Sequence, residues 1–251
     1  LERLLAGADG LVVTTEPLAE RYRAYHDAVV VVPNTLDERL ITTGRLARWR
    51  SRRTWRTWFG QLRRPGRIVV GYMGTFTHDD DLRMIAPALE AVHRETGCRL
   101  RIELVGVVAG AETLRCLGDV PVEVVRVTAA NALYPAFVPW FARTCRWDIA
   151  LSPLRDTPFT RGKSDIKFLD YAAIGAAGIY SRHPAYSGTV RHRETGWLSA
   201  DDPDDWAEAL GTLARDAALR RRIEAAARRY LLAERTLAHT ARRLPDALEA
   251  L

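Results

Sequence analysis

The chain has 251 residues, a formal net charge of +6 and a hydrophobic content of 47%. That length is enough for one sizeable α/β core and part of a second unit, and no apolar run approaches the roughly 20 residues needed to cross a bilayer. Leu1-Glu2-Arg3-Leu4-Leu5-Ala6 reads as helix interior, not as a secretory leader; with no initiator methionine, the expectation is a piece of a longer polypeptide. Cys98, Cys116 and Cys145 are odd in number and lack metal or redox spacing, as in a reduced cytoplasmic protein.

In chain order, Gly10 to Thr15 reads as a strand, Pro17 to Tyr22 as a short helix and Val29 to Val32 as a second strand ended by Pro33-Asn34. This βαβ remnant precedes a segment without acids from Arg39 to His78. Within it, residues 45–64 interleave arginine with tryptophan. Trp55, Trp58 and Phe59 recur at helical spacing, which favours inward packing, and an anionic membrane surface is the next reading. Nucleic acid is not expected, because no recognition motif accompanies the charge.

A fresh α/β series follows Pro65-Gly66. Arg67 to Met73 predicts a strand, Asp79 to Thr96 a helix with Leu82, Ile85, Leu89 and Val92 inward, and Leu100 to Val105 and Val122 to Val127 two more strands. Next come a helix from Phe137 to Cys145, a strand from Asp148 to Leu151, a helix from Lys163 to Ile174 and a strand from Gly178 to Tyr180. From Asp204 the chain reads as helical. Strands alternating with helices imply a Rossmann-like, doubly wound parallel sheet, with a partial second α/β unit before it. The expected organisation is a remnant over 1–40, a basic linker over 41–65, the main domain over 66–235 and a terminal helix over 236–251.

Of the 37 basic residues, 35 are arginine and two are lysine, Lys163 and Lys167. Lysine binds phosphate as a compact point charge that arginine's planar fork does not always replace. Both fall in Arg161-Gly162-Lys163-Ser164-Asp165-Ile166-Lys167-Phe168-Leu169-Asp170. On a helix opening at 163, Lys163, Lys167 and Asp170 share one face. Cations at a helix start oppose its dipole, and a bound phosphate offsets that cost. Gly162 would clear space for it, Arg161 adds charge, and Asp170 suits vicinal ribose hydroxyls. Ligands of doubly wound sheets sit beyond the carboxyl ends of the strands. The Gly74-Thr75-Phe76-Thr77-His78 loop and Ser152 should therefore join the lysines. His78 reads equally as a ligand contact or a loop cap. Asp79-Asp80-Asp81 reads as a metal-holding cluster or as an acidic first turn; no metal or cofactor is expected.

Val29-Val30-Val31-Val32-Pro33-Asn34, Gly71-Tyr72-Met73-Gly74-Thr75 and Lys163-Ser164-Asp165-Ile166-Lys167-Phe168-Leu169-Asp170-Tyr171 together resemble bacterial GT-B glycosyltransferases. Within them the likeness is to the retaining family 4 type of surface-polysaccharide and O-antigen assembly. Thr195-Gly196-Trp197-Leu198 resembles their turn and strand after the donor helix. The resemblance implies a carboxy-terminal domain binding a nucleotide sugar, with Gly74, Thr75, His78, Ser152, Arg161, Lys163 and Lys167 near the diphosphate and sugar and Asp170 on the ribose. It also implies a glycan or lipid-linked acceptor, an amino-terminal acceptor domain of which residues 1–37 resemble only the end, and a cytoplasmic protein, peripheral to the inner membrane face if the basic segment binds lipid. Two departures stand out. The family's pair of acids eight residues apart would need one at Gly162, and the expected Arg and Lys after the first glycine loop give way to Phe76 and acids. No catalytic side chain is assigned; the resemblance implies front-face transfer without an enzyme nucleophile. A non-catalytic nucleotide-binding scaffold is the alternative, favoured by the missing acid, and an epimerase is disfavoured for want of an acid/base pair.

Overall fold

The computed structural model describes residues 2–41, 67–74, 79–106 and 111–249. The basic segment 45–64 and the loop residues Thr75 and His78 lie outside the described residues.

Two parallel sheets organise the chain. The smaller pairs β1 (Leu11–Val13) with β2 (Val29–Val31), joined through α1 (Glu16–Tyr22). The larger contains β3 (Ile68–Met73), β4 (Leu100–Val105), β5 (Val122–Val125), β6 (Ile149–Ser152), β7 (Ala177–Ser181) and β8 (Trp197–Ser199). Their order is β5-β4-β3-β6-β7-β8, which is 3-2-1-4-5-6 in the sheet's own count. The order reverses between β3 and β6, where this architecture opens a crevice at the carboxyl edge.

Side-chain alternation decides which face each strand residue joins. Val70, Tyr72, Ile102, Leu104, Ile149, Leu151 and Ile179 point into one core, closed by α2 (Asp79–Glu95) and α5 (Pro203–Arg215). Ala150, Val105 and Tyr180 point into the other, closed by α3 (Tyr134–Thr144), α4 (Ile166–Ile174) and α6 (Ala217–Glu234). On α2 the expected stripe Leu82, Ile85, Leu89 and Val92 is fully buried. β6 and β7 are buried along their whole length, as strands covered on both faces must be. Gly71 permits a close approach: a Cβ there would lie 1.6 Å from Trp147 Cδ2.

The two sheets are tied together. Leu36 and Ile41 belong to the second core of the larger sheet. Leu36 exchanges backbone hydrogen bonds with Arg235 and Leu237, both at 2.9 Å. Beside them, buried Arg235 donates to Asp165 at 2.7 and 3.0 Å and to the Asn34 carbonyl at 2.8 Å.

Several boundaries move by one to three residues from the sequence reading. One shift of three residues matters most: α4 begins at Ile166, not Lys163. Residues Thr160–Gly162 form a 3-10 turn, and Lys163 follows in extended backbone at φ −70, ψ 151. Asp165 occupies the N-cap position, but its carboxylate accepts from Arg235 and from Thr189 Oγ1 and makes no cap bond. Tertiary partners thus outbid the local helix start.

Candidate functional site

Lys163 and Lys167 meet at the carboxyl edge of the sheet, although they do not share a helix face. Lys167, on the first turn of α4, is half-buried with Nζ 5.1 Å from the centroid of the Tyr72 ring on β3. Lys163 Nζ stands 5.3 Å from the Phe159 ring centroid. Burial pushes the Lys167 pKa down to about 8; the neighbouring Lys163 charge lowers it further, against the pull of Asp81 and Asp170. Burial also lowers the Lys163 pKa, again opposed by Asp81. Two ammonium groups, one close enough to lower the pKa of the other, form a positive site whose cost an anion would relieve.

Asp81 is the acid that the sequence reading did not single out. It is 6% exposed and accepts the Arg155 N–H at 2.9 Å. Its charge reaches Lys163, Lys167 and His183. The signal was present: Asp81 stands four residues before Ile85, on the buried stripe of α2. Its neighbours turn elsewhere, Asp79 accepting from Thr113 at 3.1 Å and Asp80 from Arg83 at 3.3 Å. Among the described residues no group of three His, Cys, Asp or Glu side chains is placed to hold a metal ion.

Asp170, one turn beyond Lys167, is 3% exposed and accepts the Tyr134 hydroxyl at 3.0 Å. Burial raises its pKa to about 7, while Tyr134 and Lys167 pull it back. Gly74 leaves β3 at the same edge, its N–H donating to Val105 O at 3.1 Å. Ser152 ends β6, but its buried hydroxyl shares a 2.6 Å hydrogen bond with Tyr186. Arg161 points outward into a two-bond pair with Asp156, at 2.7 and 2.9 Å. Gly74, Lys163, Lys167 and Asp170 are therefore gathered at one edge, whereas Ser152 and Arg161 are engaged by protein partners.

Gly162 does not leave open space. A Cβ there would lie 2.8 Å from Leu18 Cδ2, because α1 of the smaller sheet packs over it, and Thr15 Oγ1 donates to the Gly162 carbonyl at 3.2 Å. His183, also unmarked in the sequence, is buried near Asp81 and Lys163 at the end of β7.

A six-stranded parallel sheet in this order, flanked by helices, is the architecture of the carboxy-terminal domain of GT-B glycosyltransferases. Residues 79–246 match the Glycosyl transferase-like family, and the chain belongs to it. A D-inositol 3-phosphate glycosyltransferase from Stackebrandtia nassauensis is 29% identical over 252 residues, covering 96% of this chain and 54% of the relative. The sucrose-phosphate synthase of Thermosynechococcus elongatus superposes with a TM-score of 0.67 at 18% identity, over 99% of this chain and 60% of that one. Anabaena Alr3699/HepE, solved with UDP-glucose, superposes with a TM-score of 0.71 at 14% identity, over 97% and 64%. The chain thus spans about half the length of the curated relative and less than two thirds of these structures. Among the described residues no helix is long and apolar enough to cross a membrane.

Proposed function

We propose that this chain carries the donor half of a retaining glycosyltransferase, binding a nucleotide-diphosphate sugar for transfer to a polysaccharide or lipid-linked glycan in surface-polysaccharide assembly. In this reading the pyrophosphate lies between Lys163 and Lys167, beside Gly74, and the ribose reaches Asp170; Thr75 and His78 are proposed as further donor contacts. One observation carries this reading: the chain's two lysines converge at the reversal point of the sheet, with Lys167 over the Tyr72 ring in a place where desolvation makes its charge costly. A diphosphate there offsets the cost, and the same two charges stabilise the diphosphate as it leaves. The remaining contribution is orientation of donor against acceptor. Neither a metal nor an enzyme nucleophile is invoked. The acceptor falls to the amino-terminal side, and the arginine-tryptophan segment 45–64 gives the protein affinity for an anionic membrane surface on the cytoplasmic side.

Titrating nucleoside diphosphates while following thermal unfolding tests the donor site. A ligand at a hundred times its Kd should stabilise the fold by about 2.7 kcal/mol. Lys163→Ala, Lys167→Ala and Asp170→Asn should each weaken binding by about tenfold or more, the loss expected for a charge-assisted hydrogen bond. Affinity should fall as pH rises through about 8, because Lys167 must be protonated to bind. Absence of stabilisation by any nucleoside diphosphate would end this reading. The packing of Leu18 against Gly162, the position at which the family resemblance would call for an acid, favours a non-catalytic scaffold as the second reading. Release of free sugar or glycan product from a nucleotide sugar by the full chain decides between the two.

A further inference from the structure

The charges at the carboxyl edge form a row with two distinct ends. At one end Tyr134 donates to Asp170, and Asp170 feels Lys167. Lys167 in turn feels Lys163, Asp81 and Asp170. The charges acting on His183 are those of Asp156, Arg161, Asp81 and Lys163. Taken in turn, these pairings run Asp170, Lys167, Lys163, His183. The sheet gives the same order: Lys167 sits over Tyr72 on β3, β6 follows, and His183 comes after β7, one strand further on, while Asp170 bonds Tyr134.

His183 is built to present one proton. It follows β7 and caps the short helix Pro184–Ser187, where its Nδ1 accepts the Ala185 N–H at 3.1 Å. A nitrogen that accepts carries no hydrogen, so the neutral ring holds its proton on Nε2. The residue is 2% exposed, and among the described residues Nε2 has no hydrogen-bond partner. Asp156 Oδ1 lies 3.6 Å away, beyond bonding distance, and is drawn aside by Arg161. Burial lowers the imidazole pKa, with Arg161 and Lys163 adding to it and Asp156 and Asp81 opposing, so the ring is neutral at neutral pH and Nε2 is a donor. A buried donor without an acceptor carries an uncompensated desolvation cost, and a ligand oxygen removes it. The Asp156–Arg161 pair beside the ring is about half exposed to solvent.

With the nucleoside at Asp170 and the diphosphate between the lysines, His183 stands at the far end, where the sugar projects. We propose that His183 Nε2–H donates a hydrogen bond to an oxygen of the sugar in a bound nucleotide sugar, making it a specificity-determining contact of the donor site. This rests on the donor-site reading given above.

The test compares the affinities of the full chain for paired ligands by calorimetry: UDP with UDP-glucose, GDP with GDP-mannose and ADP with ADP-glucose. For the best-bound pair, His183→Ala should weaken the nucleotide sugar about tenfold and leave the diphosphate unchanged. Asp156→Ala should keep the preference for the nucleotide sugar. Equal weakening of both ligands, or no change in a folded variant, overturns the contact. So does an Asp156→Ala variant that reproduces the loss, since His183 would then act only by holding Asp156. If His183→Ala fails to fold, wild-type chain labelled with 15N-histidine serves instead. The His183 Nε2–H resonance, identified by its loss in His183→Gln, should shift with the nucleotide sugar and not with the diphosphate, and an equal response to both overturns the proposal. A wild-type chain that binds no member of any pair removes the donor site itself, an outcome separate from loss of the sugar increment.

Discussion

Asp170→Asn should stabilise the protein near neutral pH while it damages the site. Asp170 is 3% exposed, and burial lifts its pKa from 3.8 to about 7. Between those values the folded chain keeps a proton that the unfolded chain has released. The stability contributed by neutral Asp170 is thus complete below about pH 4 and lost as pH rises through about 7. Three pKa units at about 1.4 kcal/mol each set a ceiling of about 4 kcal/mol. The Lys167 charge beside Asp170 loses its partner in the variant, so a difference of about 2–3 kcal/mol is the expectation. Asparagine keeps an oxygen for the Tyr134 hydroxyl, so the hydrogen bond survives. Urea unfolding of both proteins between about pH 4 and 8 measures the effect. The wild type should lose stability across that range relative to Asp170→Asn. Parallel curves, within about 0.5 kcal/mol at every pH, would refute the claim that a carboxylate is held there at a cost.

Lys167→Met should show the opposite slope: the folded pKa of about 8 lies below 10.5, so wild-type stability rises with pH between those values, by about 2 kcal/mol once the ceiling of about 3.5 kcal/mol is discounted for partial exposure, and the variant's does not; alkaline urea titrations check this. Arg235→Met should cost about 3–5 kcal/mol in chemical denaturation by leaving Asp165 charged and buried, and a cost under 1 kcal/mol would mean that the pair is not formed. Gly71→Ala should cost about 3 kcal/mol or more, because Trp147 is fixed by its Nε1–H bond to Glu103 at 2.9 Å and its edge contact with Phe141 at 5.0 Å. Gly188→Ala, which meets nothing within 4 Å, is the control for thermal melts and should unfold as wild type does.

Much of the fold was written locally. Alternating β and α patterns between Ile68 and Ser199 were enough to expect a parallel doubly wound sheet, because strand runs buried on both faces are uniformly apolar and the helix over 79–95 repeats its apolar residues every three to four. The rarity of lysine marked the segment around 163–167 without any knowledge of its surroundings. The same local logic failed at Lys163. Helical spacing alone placed it on α4, but Asp165 spends its carboxylate on Arg235, 70 residues away, and the helix starts later.

What the sequence determined by itself was the class of architecture and the segment where charge is concentrated, since periodicity and residue choice are properties of neighbours along the chain. Which side chains face one another was decided only by the tertiary structure. Strand order brings β7 and its His183 beside the lysine segment, the buried stripe turns Asp81 inward while Asp79 and Asp80 turn away, and Leu18 reaches Gly162 alongside a hydrogen bond that spans 147 residues. Hydrophobic burial is non-directional. It commits a residue to the interior without naming its neighbour, and the neighbours are settled only when the whole sheet closes.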